Sequence, residues 1–441
     1  MSGQERSGRS KIGLAAALAV TLLGVTASGQ GASAKPGDYE VWIIDQSDTT
    51  KNGGGRLYIY QGASVAGEMA AQAKPEVIEL GGEAERLCTQ KTGSVPRRPH
   101  MFRFNHTHSH AIISYVATGH VLFMDAAKRT PIDCLDVGME AHETFPSPDQ
   151  SHAVVAGQHG KKLFRIRTDY GTNSFALDAA ATLDLARCRT PSGAACEDPR
   201  LRPDTAPICP VIESSGRATF VTLRGGGLLV VDSTATPMAI VAEYDKEHVH
   251  PNGCGGSEAA GKIYLRAGGG TQAEPTHADL YAFTLNGFTG RPQPPNMPKP
   301  RLVFSHDDRK YVDAHGGALT KGGRYLWVAD RFGNRLIVVD TAQDTVVNEI
   351  SLSGGVSSDP APDILDPSPD GNWVFMSLRG PRPLSANVPD TDNAVGSTPG
   401  LGVVKVEPDG RSGRLVAVAP IKHVVDGVEH ADPHGLKVRW P

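Results

Sequence analysis

A four-strand unit recurs along this chain, and that period narrows the fold more than any other feature. The clearest copy runs from Asp313 to Leu352. It reads as four short runs of apolar, β-branched or aromatic residues, each closed by a Gly, Asp or Asn turn. Two of these runs are Tyr325-Leu326-Trp327-Val328-Ala329 and Leu336-Ile337-Val338-Val339. Four strands in roughly 40–45 residues is the period of a propeller blade. Matching strand pairs occur at His110–Tyr115 with His120–Asp125, at Ser151–Val155 with Lys162–Ile166, and at Arg217–Arg224 with Gly227–Asp232. They recur at Gly261–Arg266 with Asp279–Phe283, and at Asn372–Arg379 with Gly400–Val406.

These make six units, and the chain ends supply a seventh. Asp432–Trp440 reads as a first strand with nothing after it. Tyr39–Ile44, Arg56–Tyr60 and Glu76–Leu80 read as second to fourth strands with nothing before them. Joining them closes a ring and removes the unpaired edges. The expected fold is therefore all-β, a seven-bladed propeller of four-stranded antiparallel blades, with residues 430–441 completing the first blade.

The first residues carry a charged start (Arg6, Arg9, Lys11), an apolar run from Ile12 to Ala27, and Ala32-Ser33-Ala34 as a small-residue cleavage pattern. This predicts a signal peptide over 1–34 and a mature propeller over 35–441, secreted or periplasmic. An uncleaved anchor is the alternative, but the run is short for a span. No later segment is long and apolar enough to cross a bilayer, so no membrane span is expected after cleavage. Net charge is −4 with no basic tract, which argues against nucleic acid as a partner. Six cysteines in an exported chain can pair. Cys188 and Cys196 flank a short loop, Cys88 and Cys134 can tie a linker to the second blade, and Cys209 and Cys254 remain. Spacing leaves the connectivity open.

Pro433-His434-Gly435-Leu436, Pro367-Ser368-Pro369-Asp370-Gly371, Tyr325–Ala329 and Leu336–Ala342 resemble the YVTN-type propeller repeat. The resemblance spans nearly the whole mature chain and speaks for the fold. That family is similar in shape to lactonase-like propellers and to the large subunits of quinoprotein amine dehydrogenases. One fold serves many chemistries, so function has to be read from a site.

Aligning the units on their second strand and stepping ten residues upstream gives His100, His142, His315, Asp363 and His434. The fourth unit gives Ile208, or Cys209 with a one-residue turn change; the fifth gives His250 or Cys254. These positions fall near the start of the innermost strand, facing the channel. The predicted metal ligands are His100, His142, His250, His315 and His434. Glu140, Asp313 and Asp432 lie two residues before a histidine, hence on its side of a strand, and are expected to orient imidazoles. An imidazole-rich site suits Cu or Fe ahead of Zn, and a thiolate from Cys209 or Cys254 would favour Cu or Zn. Two propeller families are similar in this geometry: carotenoid-cleaving oxygenases, with four histidines on an axial iron, and the selenium-binding/methanethiol-oxidase family. The Pro-His-Gly start is also common in YVTN-type repeats, where the histidine is structural.

His106, His108 and His110 form a second cluster in a turn, and His248-Val249-His250 repeats the spacing. Arg224, Arg266, Arg331 and Arg379 follow second strands and are candidates for holding an anionic substrate, or else pair with neighbouring blades. The insertions 186–206 and 380–399 read as rim loops. The chain has no Gly-x-Ser-x-Gly, no phosphate-binding Gly-rich motif and no Cys-x-x-Cys-His, so a serine hydrolase, a nucleotide cofactor and an attached haem are unsupported. Three functions follow: a metal-dependent oxidoreductase acting on a small molecule, a non-catalytic propeller binding a partner protein or ligand through its rim loops, and a lactonase-like hydrolase.

Overall fold

The computed structural model describes residues 38–47, 54–269, 277–288, 296–307, 312–384 and 394–440. The expected signal peptide lies outside them, as does much of the 380–399 insertion. Seven four-stranded antiparallel blades form the ring expected from the repeat. Blade 1 combines Glu40–Asp45, Arg56–Gln61 and Glu76–Glu79 with Pro433–Arg439 as its innermost strand. Blades 2 to 7 begin at Pro99, Ala141, Pro207, Gly256, Ala314 and Pro362, and each runs outward in chain order.

The second and third strands are almost wholly apolar because both of their faces are covered by neighbouring blades. Leu326–Asp330 and Arg335–Asp340 are buried throughout. The outermost strand of the same blade, Thr345–Ser351, is mostly exposed and accordingly polar. The core therefore lies between blades. Trp42, Ile44 and Leu57 of blade 1 pack on Phe102, Ile113 and Leu122 of blade 2. Val41, Ile43 and Tyr58 pack on Phe375, Leu401 and Val403 of blade 7.

The ring closes by pairing across the termini. Val41 faces Val438, and Ile43 faces Leu436, in an antiparallel ladder. Glu40 adds polar contacts at this junction: it accepts hydrogen bonds from Trp42 Nε1 at 2.9 Å and Arg439 Nη1 at 3.0 Å, and pairs with Arg129 of blade 2.

The innermost strands share one irregularity. In blade 3, Ala141 faces Gly157 and Thr144 faces Val155, so His142 and Glu143 together oppose one residue. The same break falls at Ile208-Cys209, His315-Gly316, Asp363-Ile364 and His434-Gly435, and a single extra residue, His100, sits there in blade 2. A bulge bends the strand and re-aims the bulged side chain. Six blades thus present their upstream residue to the axis by the same backbone device.

All six cysteines pair, as Cys88–Cys134, Cys188–Cys196 and Cys209–Cys254. Cys88 lies on the helix Glu83–Thr92, which connects blades 1 and 2, and Cys134 lies on the outermost strand of blade 2. The 186–206 insertion is packed down by Arg202, which is 1% exposed, donates to the Cys196 carbonyl and pairs with Glu243 at 3.2 Å. Among the described residues no helix is long and apolar enough to cross a membrane.

Candidate axial site

The bulges set His434, His100, His142, Cys209, His315 and Asp363 at one level of the innermost strands of blades 1, 2, 3, 4, 6 and 7. Their side chains meet. The His100 ring stacks on His434 with centroids 3.9 Å apart, and meets His142 edge-on at 4.7 Å. His315 lies 5.7 Å from His434. Asp363 stands between them, accepting from His434 Nδ1 at 2.6 Å and lying 3.3 Å from His315 Nε2. His315, Asp363 and His434 each offer a ligand atom, all within 4.8 Å of one another.

The glycine after two of these histidines follows from the same crowding. A Cβ on Gly316 would sit 2.0 Å from the Asp363 carbonyl oxygen, and one on Gly435 would sit 2.6 Å from that of His100. Each His-Gly pair therefore lets the next blade's backbone approach while the imidazole turns to the axis.

The site is closed, and burial favours the neutral form of three of its histidines, His100, His142 and His315. His100, His142, His315 and His434 are 4, 7, 9 and 1% exposed. Burial, then the neighbouring His434 and His142, holds His100 well below the usual histidine value. Burial, then His434, brings His142 down to about 3. Burial, then Arg331, keeps His315 well below that value. Burial opposes ionisation of Asp363, but His434, Arg331, His315 and Arg379 outweigh it and hold the carboxyl well below its ordinary range. The result is an ionised Asp363 beside the neutral imidazoles of His100, His142 and His315, the protonation state that metal ligands require. Three buried nitrogens, His142 Nδ1, His315 Nε2 and His434 Nε2, have no hydrogen-bond partner.

The expected orienting acids work differently. Asp432 binds Arg379 through both oxygens, at 2.6 and 2.9 Å, and also accepts from Gln46. Asp313 binds Arg331, and its nearest approach to His315 Nδ1 is 3.8 Å. Glu140 pairs with His159. The reason is that these acids precede the bulge, where strand alternation no longer puts residues two apart on one side. The groups that orient imidazoles are Asp363, for His434, and Gln46, whose Oε1 lies 2.7 Å from His100 Nδ1. Gln46 directly follows a strand and carries no sequence signal for this role.

The arginines do not line an open mouth. Arg331 and Arg379 are 8 and 1% exposed, and both reach Asp363, at 3.3 and 3.0 Å. Arg224 is bound to Asp204 at 2.5 Å. Arg266, 5% exposed, donates to the Cys254 carbonyl and Ser257 Oγ, and burial, then Arg103, lowers it to about 10. Around the axis the carboxylates of Asp313, Asp363 and Asp432 are bound by the guanidinium groups of Arg331 and Arg379.

Two other expectations change. His250 is not in the ring; it pairs with Asp279 and stacks near His277, and in blade 5 the ring position falls to Cys254. Cys209 and Cys254 are joined beside His142, so neither offers a thiolate in the oxidised protein. The His106–His110 turn does not converge. His108 lies between Phe104 and Trp440, while His110 Nε2 lies 2.8 Å from Asn173 Oδ1.

No protein-family model matches the chain, and no curated protein sequence does. Solved structures are similar to it in fold. A periplasmic gluconolactonase of Pseudomonas aeruginosa has a TM-score of 0.57 at 13% identity, covering 91% of this chain and 100% of that one. A hypothetical selenium-binding protein of Sulfolobus tokodaii has a TM-score of 0.59 at 10% identity, covering 92% of this chain and 94% of that one. A protein of Lactobacillus plantarum has a TM-score of 0.55 at 10% identity, covering 91% and 99%. At these identities the likeness concerns the propeller fold.

Proposed function

We propose that this chain is an extracytoplasmic propeller of the YVTN type that holds a transition-metal ion on its axis for redox chemistry on a small molecule. The observation that carries this reading is the set of buried nitrogens without a hydrogen-bond partner on His142, His315 and His434, the last two flanking Asp363, beside histidines that burial keeps neutral. An unpaired polar atom costs roughly 1–3 kcal/mol when buried. A cation bound by these nitrogens would relieve that cost at several positions together. His315 and His434 with Asp363 are the first ligand candidates, and His100 and His142 extend the set. An imidazole-rich donor set suits Cu, Fe, Ni or Zn, and redox chemistry selects Cu or Fe among them. The three disulfides support an oxidising compartment.

A second reading has its own observation. Asp363 fixes His434 through Nδ1 and leaves Nε2 free, the arrangement of a general base. That dyad, beside Arg331 and Arg379, suits lactone hydrolysis without a metal.

Elemental analysis of protein purified from an exported, metal-replete preparation separates the two. Near-stoichiometric Cu or Fe in the native protein that is absent from the His315→Ala/His434→Ala variant is the expected result. Native protein free of Cu and Fe would overturn the metal reading. Sugar-lactone hydrolysis that survives chelation and is lost in His434→Gln would then establish the hydrolase.

A further inference from the structure

Blade 5 departs from the other blades in a way that creates a second cluster. Its central hairpin is long, with Lys262–Gly269 paired to His277–Thr284 over eight rungs, where the equivalent strands of blade 6 pair over six. The extra rungs carry His277 past the end of the four-stranded region, where Gly269 is its partner. His277 and Asp279 are two apart on a regular ladder, so they share a face. The connection from blade 4 brings His250 onto that same face. Its Nδ1 contacts Asp279 Oδ2, and its ring lies 4.5 Å from that of His277.

This grouping has unmet bonding capacity. Asp279 is fully buried; one oxygen receives His250 and the Tyr281 hydroxyl at 3.2 Å, while Oδ1 has no hydrogen-bond partner. His277 Nδ1 is likewise buried without a partner. A carboxylate oxygen and an imidazole nitrogen are thus buried and unpaired in a group that holds a second imidazole. One ligand atom from each of the three residues falls within 4.8 Å of the others.

We infer that His250, His277 and Asp279 form a second divalent-metal site, separate in its residues from the axial ring. Two imidazoles and a carboxylate are a borderline donor set that takes Zn2+ readily and Co2+ as its spectroscopic substitute. Three protein ligands leave a fourth position open on the side where His250 and His277 are half-exposed. The Tyr281 hydroxyl positions the carboxylate through Asp279 Oδ2, and the Tyr281 oxygen also accepts from the His250 backbone N–H at 3.3 Å. Tyr281 thus ties two of the three ligands together from behind.

The test is Zn2+ titration of the metal-stripped full chain against a chromophoric chelator, followed by Co2+ absorption. The His315→Ala/His434→Ala variant is expected to retain one Zn2+ equivalent held by this cluster. Adding His277→Ala removes that equivalent and the Co2+ d–d bands with it. Tyr281→Phe keeps the stoichiometry and weakens binding about tenfold or more. His277→Ala removes a half-buried side chain at a strand end, and an unchanged circular dichroism spectrum shows that it has folded. The inference is overturned if folded His277→Ala binds as much Zn2+ as its parent with the same affinity. Because His315 and His434 are already replaced and the readout is the further change on His277→Ala, failure of the axial reading leaves this outcome unaffected.

Discussion

At the residue scale, the axial histidines act as much through what burial denies them as through what they touch. His100, His142 and His315 titrate below an unfolded histidine, which takes up its proton near ~6.5. Below that pH the unfolded chain binds protons that the folded ring excludes. Stability linked to these groups is therefore complete above ~6.5 and is lost as pH falls through that value. Each such histidine contributes a slope of about 1.4 kcal/mol per pH unit where only the unfolded form is protonated. Urea unfolding at pH 7.5 and 5.5 should show a marked loss at the lower pH, smaller in His142→Gln than in the native protein. Equal losses in both would show that His142 does not carry the effect.

At the scale of elements, the innermost strand is the unit that matters. The pattern around Ala314–Thr320 reads as a plain strand, and nothing in its composition announces the bulge at His315-Gly316. The bulge puts one extra residue into the inner strand and bends it there. Its consequence is chemical: it turns His315 to the axis while leaving Asp313 with Arg331. The Cys209–Cys254 bridge belongs to this scale as well, since it joins the inner ends of blades 4 and 5 across 45 residues of chain. Its replacement by Cys209→Ala/Cys254→Ala should cost about 2–4 kcal/mol, read from the urea midpoint. The same variant should keep its axial metal, because the ligands proposed are imidazoles. Loss of metal without loss of fold would instead make the sulfurs part of the centre.

For the whole molecule, stability depends on closing the ring. The ladder between Glu40–Asp45 and Pro433–Arg439 joins the two ends of the described chain, and Glu40 ties it to blade 2 through Arg129 and to the C-terminal strand through Arg439. Burial opposes ionisation of Glu40, but hydrogen bonds from Trp42, Arg129 and Arg439 outweigh it and lower its carboxyl below the usual value. A lowered carboxyl stabilises above the unfolded glutamate value of ~4.3, and that contribution is lost as pH falls through it. Glu40→Gln should therefore cost about 1–3 kcal/mol at pH 7, with the gap from the native protein closing toward pH 4. A gap that persists unchanged at pH 4 would point to packing and not charge.

Much of this architecture was legible in the amino-acid order. Strand alternation, turn residues and the orphan first strand at Asp432–Trp440 are local signals, and repetition made them specify seven blades and their closure. The upstream position that supplies His100, His142, His315, Asp363 and His434 was readable for the same reason, because a repeat puts equivalent residues in equivalent places. What only the tertiary structure decided were the relations between blades. It joined Cys209 to Cys254, sent His250 to Asp279 in place of the axis, gave the orienting role to Gln46 and Asp363, and enclosed Arg331 and Arg379 in carboxylates. Each of these depends on which side chain of one blade meets which side chain of another. Such pairing is set by bulges, loop lengths and shared burial across the ring, none of which leaves a signature in a single unit of the sequence.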